Sequence, residues 1–184
     1  KTVKYTYDKA GRILTITNPL GQVTSHVYNE SGNVASITNP MGETYSYSYD
    51  SVGNVKKVVA PGNLEFSYEW DSLGRLTTYK TIHGSTTYLY GAHGPKKITS
   101  PNGSFEYAYN GKGQITEIKD ELGRKIKYAY KNDLVTAITD PVGRVQKYEY
   151  DVAQRLTKET SFDGQTVTYL YNNLGLLQEK QYAD

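Results

Sequence analysis

The stretch YSYSYDSVGN at residues 45–54 shows the pattern on which the whole chain is built. In an extended strand, alternate side chains point to opposite faces, so the three tyrosines line one face of a strand. Asp50 can hydrogen-bond the backbone two residues ahead, and Gly53 can take a positive φ without steric cost. The stretch therefore predicts a strand that ends in a tight reversal.

The aromatic residue before this turn recurs along the chain at a nearly constant period. The nine positions are Tyr7, Tyr28, Tyr49, Trp70, Tyr90, Tyr109, Tyr130, Tyr150 and Tyr171. The intervals between them are 21, 21, 21, 20, 19, 21, 20 and 21 residues. In most copies a second tyrosine stands two residues earlier, and His26 takes its place in one copy. A fixed period of this length is typical of repeat architectures.

Each unit carries two reversal signals. The first directly follows the aromatic strand, at Asp8, Asn29, Asp50, Asp71, Gly91, Asn110, Lys131, Asp151 and Asn172, and most copies have a glycine three residues later. The second is rich in Pro and Gly, as in NPLG (18–21), NPMG (39–42), APG (60–62), SPNG (100–103), DELG (120–123) and DPVG (140–143). Reversals this close together leave no room for an amphipathic helix. We predict an all-β, antiparallel β-hairpin repeat ribbon, with about nine units in one continuous repeat region over 1–184 and no separate second domain.

Some units depart from the pattern. The unit at 130–139 lacks the turn glycine, so we expect Asn132 or Asp133 to make that reversal, and Gln154 replaces the glycine in another unit. The segment YGAHGPKKI at 90–98 places Pro95 directly after a glycine. Because proline has no N–H to donate, we expect the strand ladder to be least regular there.

Composition excludes several classes of protein. Hydrophobic residues make up 37% of the 184 residues, and tyrosine, present 19 times, takes the place of aliphatic residues in any packing. The 21 basic and 19 acidic residues are mixed along the chain, so nucleic acid is not an expected partner. Zero cysteines exclude disulfides and thiolate metal sites. No apolar run reaches the length of a transmembrane helix, and the first residues do not look like a signal peptide.

Repeats of the form Y-x-Y-D-x-x-G-R, as in YTYDKAGRILTITNPLG (5–21) and YEWDSLGRLTTY (68–79), resemble the YD-repeat or RHS-repeat family over the whole chain. That family includes Rhs and wall-associated polymorphic toxins, the BC shell of insecticidal toxin complexes, and teneurins. The resemblance implies a curved or spiralling single-layer sheet that is a fragment of a hollow shell. It also implies that neighbouring repeats of the parent chain and an enclosed toxin polypeptide are the partners.

The first residues fit a piece of a longer protein. Lys1 already stands in mid-pattern, with Val3, Tyr5 and Tyr7 on one strand face. We therefore expect targeting signals to lie elsewhere, the parent protein to be secreted or located at a bacterial cell surface or cell wall, and the isolated segment to self-associate.

The family also contains an autoproteolytic segment with an aspartate-proline-x-glycine sequence, which DPVG at 140–143 matches superficially. The segments NPLG and NPMG occupy the same repeat position in earlier units. We therefore interpret DPVG as an ordinary repeat turn and do not assign a protease to it.

Three recurring residue types could serve a ligand or the scaffold. The tyrosines could stack on sugars, but their constant register favours cross-strand packing. The Asp or Asn after each aromatic strand could suggest calcium, but one carboxylate per unit favours turn capping over a cation site. The arginines could contact polyanions, and we interpret them instead as solvated side chains; they are Arg12, Arg75, Arg124, Arg144 and Arg155.

No residue is assigned to a catalytic, cofactor-binding or metal site. The histidines His26, His83 and His93 occupy different repeat positions, and His83 with His93 would lack further ligands for zinc. No pairing of a nucleophile with a base is evident. The sequence therefore predicts a non-catalytic structural segment of a toxin shell. The alternative is a surface module, similar to an adhesin, that binds carbohydrate or cell-wall polymer.

Overall fold

The computed structural model describes residues 1–183, which are almost entirely strand and turn. The strands are β1 (Lys4–Tyr7), β2 (Ile13–Thr17), β3 (Val23–Tyr28), β4 (Val34–Thr38), β5 (Thr44–Tyr49), β6 (Val55–Ala60), β7 (Leu64–Trp70), β8 (Leu76–Thr81), β9 (Gly84–Tyr90), β10 (Pro95–Ser100), β11 (Gly103–Tyr109), β12 (Ile115–Asp120), β13 (Lys125–Lys131), β14 (Leu134–Thr139), β15 (Val145–Tyr150), β16 (Leu156–Thr160), β17 (Thr166–Tyr171) and β18 (Leu177–Tyr182). A single 3-10 turn at Pro61–Asn63 is the one helical segment of the described residues. These residues contain no helix that could cross a bilayer. The predicted all-β hairpin ribbon is confirmed.

The chain divides into two compact units, each of which is an open antiparallel sheet. Unit 1 is Lys1–Tyr88 and unit 2 begins at Leu89, so the boundary falls within β9. In unit 1 each strand from β1 to β8 pairs antiparallel with the next one in the chain. In unit 2 the same is true from β10 to β18. Within each unit the arrangement is therefore a simple meander of hairpins.

Each sheet is one layer thick. All the extensive strand contacts within a unit join consecutive strands. Among residues 1–183 every side chain keeps some contact with solvent and none is fully buried, so neither unit has an interior core in the usual sense. Apolar packing takes place along the surface of the sheet instead, as where the Tyr79 ring lies 5.3 Å from that of Tyr68 and 6.4 Å from that of Phe66, measured between centroids.

The two faces of the aromatic strands differ in burial. In β5 the tyrosines of the TYSYSY sequence are half-buried, and the Thr and Ser residues between them are exposed. In β13 of unit 2, Ile126, Tyr128 and Tyr130 are likewise half-buried between exposed residues. This period of two is the pattern expected for a strand with one packed face.

A β-bulge follows the aromatic end of each of these strands. In the β1–β2 pair, Thr6 stands opposite Thr15 and Tyr7 opposite Ile13, so Leu14 is skipped. The same skip of one residue recurs in the other hairpins that start with an aromatic strand and whose register is known. A bulge strengthens the local twist and interrupts the ladder of backbone hydrogen bonds. Some carbonyl groups beside it therefore need another donor.

The departures in sequence correspond to departures in the turns. Asn132 and Asp133 have φ angles of 50° and 69°, which confirms that they make the reversal without glycine. Gln154 has a φ of 64° and so takes the conformation that glycine has elsewhere. The turn before Pro95 is shortened, since the Gly91 N–H donates to the Gly94 carbonyl at 2.8 Å. The predicted irregularity of the ladder at Pro95 itself stays a prediction.

Replacing Gly53 should test the turn assignment. Gly53 has a φ of 94°, and a Cβ there would meet nothing within 4 Å, so backbone strain alone should oppose a side chain. We expect Gly53→Val to lower the free energy of unfolding by roughly 1–2 kcal/mol. Val52 is the exposed neighbouring residue and provides the control. Val52→Thr should change the free energy of unfolding by less than about 0.5 kcal/mol. Equal shifts in chemical denaturation of the two variants would contradict the assignment.

Candidate functional site: turn and tyrosine braces

One side-chain oxygen organises each regular reversal. At Asp8, Oδ1 accepts hydrogen bonds from the backbone N–H of Ala10 and of Arg12, both at 2.9 Å. The Gly11 N–H donates to the Asp8 carbonyl at 3.1 Å, and the Asp8 N–H donates to the Arg12 carbonyl at 2.9 Å. This is a type I turn that closes on a left-handed glycine, a common form of hairpin loop.

The regular turns at both ends of the strands share this geometry, whereas the reversals that begin at Ala60, Thr81, Gly91, Ser100 and Lys131 close differently. We name the reversals after the aromatic strands A turns; they begin at Asp8, Asn29, Asp50, Asp71, Gly91, Asn110, Lys131, Asp151 and Asn172. The reversals at the other strand ends are B turns; they begin at Asn18, Asn39, Ala60, Thr81, Ser100, Asp120, Asp140 and Ser161. In the B turn at Asn18, for example, Oδ1 accepts the N–H groups of Leu20 and Gln22 at 2.9 and 3.0 Å. The predicted capping role of Asp and Asn is confirmed.

Each of the five arginines is paired with the aspartate four residues before it. The Arg12 Nε lies 2.6 Å from Asp8 Oδ2, and the Arg144 Nε lies 2.6 Å from Asp140 Oδ2. The remaining pairs are Asp71–Arg75, Asp120–Arg124 and Asp151–Arg155. The arginine side chains stay 36–64% exposed, as expected of solvated residues, but the sequence interpretation left out their ion pairs, which form because the turn brings both ends of a D-x-x-G-R or D-x-x-Q-R segment together.

These bonds also shift the pKa of the turn carboxylates. A hydrogen bond from the backbone N–H of the paired arginine, helped by its side chain, holds the pKa of Asp8, Asp71 and Asp151 below the ordinary value of 3.8. At Asp120 and Asp140, desolvation raises the pKa, but the hydrogen bonds from the paired arginine outweigh it and the pKa is again lowered. The charged form of each aspartate is thus the one that the turn stabilises.

The second aromatic of each pair fastens one hairpin to the next. The Tyr28 hydroxyl donates to the Ile13 carbonyl at 2.8 Å, and the Tyr49 hydroxyl donates to the Val34 carbonyl at 2.7 Å. The same bond recurs at Trp70, Tyr109, Tyr130, Tyr150 and Tyr171. In the hairpins with a known bulge, the acceptor directly precedes the skipped residue. The aromatic donor therefore satisfies a carbonyl beside the bulge, and we call this bond a tyrosine brace.

The arginines of two A turns reinforce this brace. The Arg12 guanidinium lies 4.6 Å from the centre of the Tyr28 ring, and the Arg155 guanidinium lies 4.7 Å from that of Tyr171, both within cation–π range. A Cβ on Gly32 would come within 3.3 Å of an Arg12 nitrogen. The arginine thus fills the space between one A turn and the next.

Sequence reasoning missed both the ion pairs and the tyrosine braces. The fixed i, i+4 spacing of Asp and Arg was visible in the sequence and could have revealed the pairs. The brace joins residues 15 apart in most units, across two different hairpins. Its only signal was that the aromatic always carries a polar hydrogen-bond donor, with Trp70 and never Phe in place of Tyr.

The other candidate residues are not brought together into a centre. His26 lies in β3, His83 lies in the turn between β8 and β9, and His93 lies in the turn before β10, where its ring is tilted by 47° against that of Tyr109 with 6.4 Å between the centroids. Asp140 of the DPVG segment is held in an ordinary B turn, with its oxygens bonded to Val142 and Arg144. Residues 1–183 contain no cluster of three or more His, Asp or Glu that could hold a metal ion.

Shallow open grooves separate neighbouring turns and strands. In unit 1, Tyr47 and Tyr49 line one such groove together with Asn29, Asn33 and Asp50. In unit 2, Tyr107 lines another with Lys97, Glu106 and Lys119. Glu106 accepts hydrogen bonds from both lysines, and these bonds lower the pKa of its carboxyl. Each groove is lined by tyrosine and by hydrogen-bonding groups, and both grooves are open rather than enclosed.

Removing one hydroxyl should measure a tyrosine brace. Tyr49→Phe deletes the donor to the Val34 carbonyl, and we expect it to lower the free energy of unfolding by about 0.5–1.5 kcal/mol. Tyr47 lies on the same face of the same strand, and its hydroxyl has no hydrogen-bond partner in the described part of the chain. Tyr47→Phe should therefore be nearly neutral in the same denaturation measurement, and an equal loss in both variants would refute the brace.

Acid should weaken the A turns. Folding lowers the pKa of Asp8, Asp71 and Asp151. Their contribution to the free energy of unfolding is therefore complete above the ordinary pKa of 3.8, and it is lost as the pH falls through the lower pKa of the folded state. Asparagine already starts the turns at Asn18 and Asn29, so changing all three aspartates to Asn should preserve the fold. The triple variant should show a shallower loss of melting temperature in acid, and an unchanged slope would contradict this assignment.

Several solved structures share this fold. The structure of "TcdB2-TccC3 without hypervariable C-terminal region" aligns with a TM-score of 0.68 and 14% identity over 94% of this chain. The structures of TcdB2-TccC3-Cdc42 and TcdB2-TccC3 each align with a TM-score of 0.56 over 97% of this chain, at 15% and 16% identity. The chain spans only 12%, 11% and 11% of those three chains, respectively. At these identities the likeness establishes the fold alone.

Two family models match the sequence. The Teneurin YD-shell model matches residues 1–141, and the RHS Repeat model matches residues 130–166. A search of curated proteins found no match. The repeats quoted above lie within these matches, and their aromatic, Asp and Gly positions are the ones that form the braces and turns. Because the first model matches residues 1–141 of the 184 residues, the chain belongs to the Teneurin YD-shell family.

Proposed function

We propose that this chain is a non-catalytic wall segment of a YD-repeat shell that encloses another polypeptide. The observation that carries the proposal is that each unit is a sheet one layer thick, in which the described residues include no fully buried side chain. A wall that separates two spaces needs continuous backbone pairing and not an enclosed core. Residues 1–184 act, in this proposal, as one continuous repeat array.

The turn bonds and the tyrosine braces suit this role because together they stabilise each hairpin and its junction with the next hairpin. A repeat array gains stability from each unit and from its contact with the next unit, so it can be extended by adding units. The turn aspartates fix each reversal and the tyrosine braces join successive hairpins. A wall built in this way can have any number of repeats, and this chain spans only 12% of the matched chain of TcdB2-TccC3 without hypervariable C-terminal region.

The enclosed partner would be a toxic polypeptide of the same or an associated chain. Support comes from the matched structures, which are those of TcdB2-TccC3 and of TcdB2-TccC3 without its hypervariable C-terminal region. Membership in the Teneurin YD-shell family supports the proposed role in a shell wall. The resemblance to polymorphic toxins supports a parent protein that is secreted or delivered at the cell surface.

The experiment is electron cryomicroscopy of the full natural chain that contains this segment. We expect residues 1–184 to lie in the wall of a closed shell with a second polypeptide, or a terminal region, inside the cavity. Limited protease digestion should spare the enclosed polypeptide in the intact particle and degrade it after the shell is opened with denaturant. A solid or open array would contradict the proposal. So would an interior polypeptide that the protease cleaves as fast in the intact particle as after the shell is opened.

A second candidate function is carbohydrate binding at the cell surface. The specific observation in its favour is that Tyr47 and Tyr107 each line an open groove with polar neighbours. Glycan-array binding that is lost in the Tyr47→Ala and Tyr107→Ala variants, with an unchanged amide-I infrared spectrum, would favour this function. The shell proposal predicts no specific glycan signal for the wild-type chain.

A further inference from the structure

Three places in the chain have an asparagine or aspartate directly before a glycine. They are Asn102-Gly103, Asn110-Gly111 and Asp163-Gly164. Such a pair is chemically reactive in a flexible chain, because the unhindered backbone nitrogen of the glycine attacks the side-chain carbonyl carbon of the residue before it. The attack is slow where hydrogen bonds restrain that side chain. The three places differ in these hydrogen bonds.

Two of the three side chains are restrained by their own turns. The Asn110 Oδ1 accepts the backbone N–H groups of Lys112 and Gln114 at 3.0 and 3.1 Å, and its Nδ2 donates to Gln114 Oε1 at 2.7 Å. Asp163 accepts a hydrogen bond from the Ser161 hydroxyl, and this bond lowers the pKa of its carboxyl. A carboxylate is also a much weaker electrophile than an amide. Neither side chain is therefore free to react.

The Asn102 side chain has no such restraint. It is exposed at the tip of the turn between β10 and β11, and its amide makes no hydrogen bond within residues 1–183. Its backbone N–H donates to Ser100 Oγ at 3.3 Å. The turn does not require asparagine here, because the turn between β8 and β9 has the same register and places His83 at this position, with the His83 N–H donating to Thr81 Oγ1 at 3.0 Å.

The glycine of this pair is fixed by the fold. Gly103 has a φ of 125°, in the region that favours glycine, and the equivalent Gly84 has a φ of 123°. A Cβ on Gly103 would come within 3.1 Å of Glu121 Oε2, so the Glu121 carboxylate lies beside this backbone. The turn therefore keeps a glycine next to an asparagine whose side chain has no structural role in the described part of the chain.

We propose that Asn102 is a site of spontaneous deamidation, which converts the neutral tip of this turn into an anionic one. The Gly103 nitrogen attacks Cγ of Asn102, its proton passes through solvent to the side-chain nitrogen, and that nitrogen leaves as ammonia. One water molecule then opens the resulting succinimide ring at either carbonyl. The products are aspartate and isoaspartate, each with one new carboxylate. This chemistry is independent of any enclosed polypeptide.

The modification should also weaken the turn. The new carboxylate stands one residue from Gly103, beside which the Glu121 carboxylate already lies, so the two negative charges repel each other. The isoaspartate product in addition lengthens the backbone of a short hairpin loop, and loop length sets the register of a hairpin.

One tryptic peptide measures the reactive asparagine together with an internal control. Trypsin cleaves after Lys97 and Lys112, so the peptide 98–112 contains both Asn102 and Asn110. The folded chain is incubated in mildly alkaline buffer made with heavy-oxygen water, and it is then denatured and digested in ordinary water. Fragment spectra assign the mass gain to one asparagine or the other, and an isoaspartate methyltransferase assay identifies isoaspartate. The same peptide, incubated free in solution, gives both rates without the fold.

We expect Asn102 in the folded chain to react within about threefold of its rate in the free peptide, because exposed loop tips are locally mobile. It should take up one heavy oxygen. Asn110 should react at least about tenfold more slowly in the folded chain than in the free peptide, because its three hydrogen bonds must open first.

The Asn102→His variant is the matched control, since histidine already stands at this position in the turn between β8 and β9. It should keep the amide-I spectrum of the sheet and lose the modification. The modified wild-type chain, separated by ion exchange, should melt at a lower temperature than the unmodified chain. The Asn102→His variant should melt at the same temperature before and after incubation.

Four results would overturn the inference. Reaction of Asn102 in the free peptide alone would show that the turn protects it. Equal rates at Asn102 and Asn110 in the folded chain would show that the turn bonds do not select the site. A mass gain without heavy oxygen would exclude the succinimide route, and an unchanged melting temperature of the modified chain would exclude the repulsion at Glu121.

Discussion

The whole structure depends on one side-chain oxygen at the start of each regular turn, which accepts two backbone N–H groups and so fixes the reversal. At Asp8 these two bonds are 2.9 Å long, and Asn18 makes the same pair with its amide oxygen. Because no side chain in residues 1–183 is fully buried, hydrophobic burial cannot position the strands as it does in a sandwich. Register must instead be set locally, and a turn of fixed length and type sets the register of its hairpin.

The tyrosine brace is the second requirement, and it follows from the bulge. A bulge provides the twist that a single-layer sheet needs, but it leaves a carbonyl beside it outside the regular ladder. An aromatic side chain with a polar donor reaches this carbonyl from the next hairpin, at 2.7 Å in the case of Tyr49. The Trp70 indole N–H does the same at 2.7 Å to the Val55 carbonyl. The repeat therefore selects for a ring with a donor at the second aromatic position, which explains why that position holds tyrosine or tryptophan and never phenylalanine.

Much of the fold could be predicted because its determinants are local. Alternating tyrosines, Asx residues and glycine act within ten residues, and the substitutes at Asn132 and Asp133 follow from the tolerance of Asn and Asp for positive φ. The contacts between hairpins could not be predicted in the same way. A period of about 21 residues indicates that the repeats are equivalent, but it does not indicate which atoms of neighbouring repeats are in contact. The Tyr28 hydroxyl meets the Ile13 carbonyl, and its ring meets the Arg12 guanidinium, only when the β1–β2 and β2–β3 hairpins are in place.

The polar face is left free of these requirements, and its chemistry varies from one repeat to the next, as shown by the Lys57–Glu65 ion pair at 2.7 Å in unit 1. In unit 1 it carries hydroxyl pairs, with the Thr6 and Thr15 oxygens 2.6 Å apart and those of Thr38 and Thr44 2.9 Å apart. In unit 2, the Glu106 carboxylate accepts hydrogen bonds from Lys97 and Lys119 at 3.2 and 3.0 Å. Exposed pairs of this kind contribute little to stability, so the sheet does not depend on which of them is present. Because turns and aromatic braces hold the strands, this face can change in polarity and charge from one repeat to the next without loss of the fold.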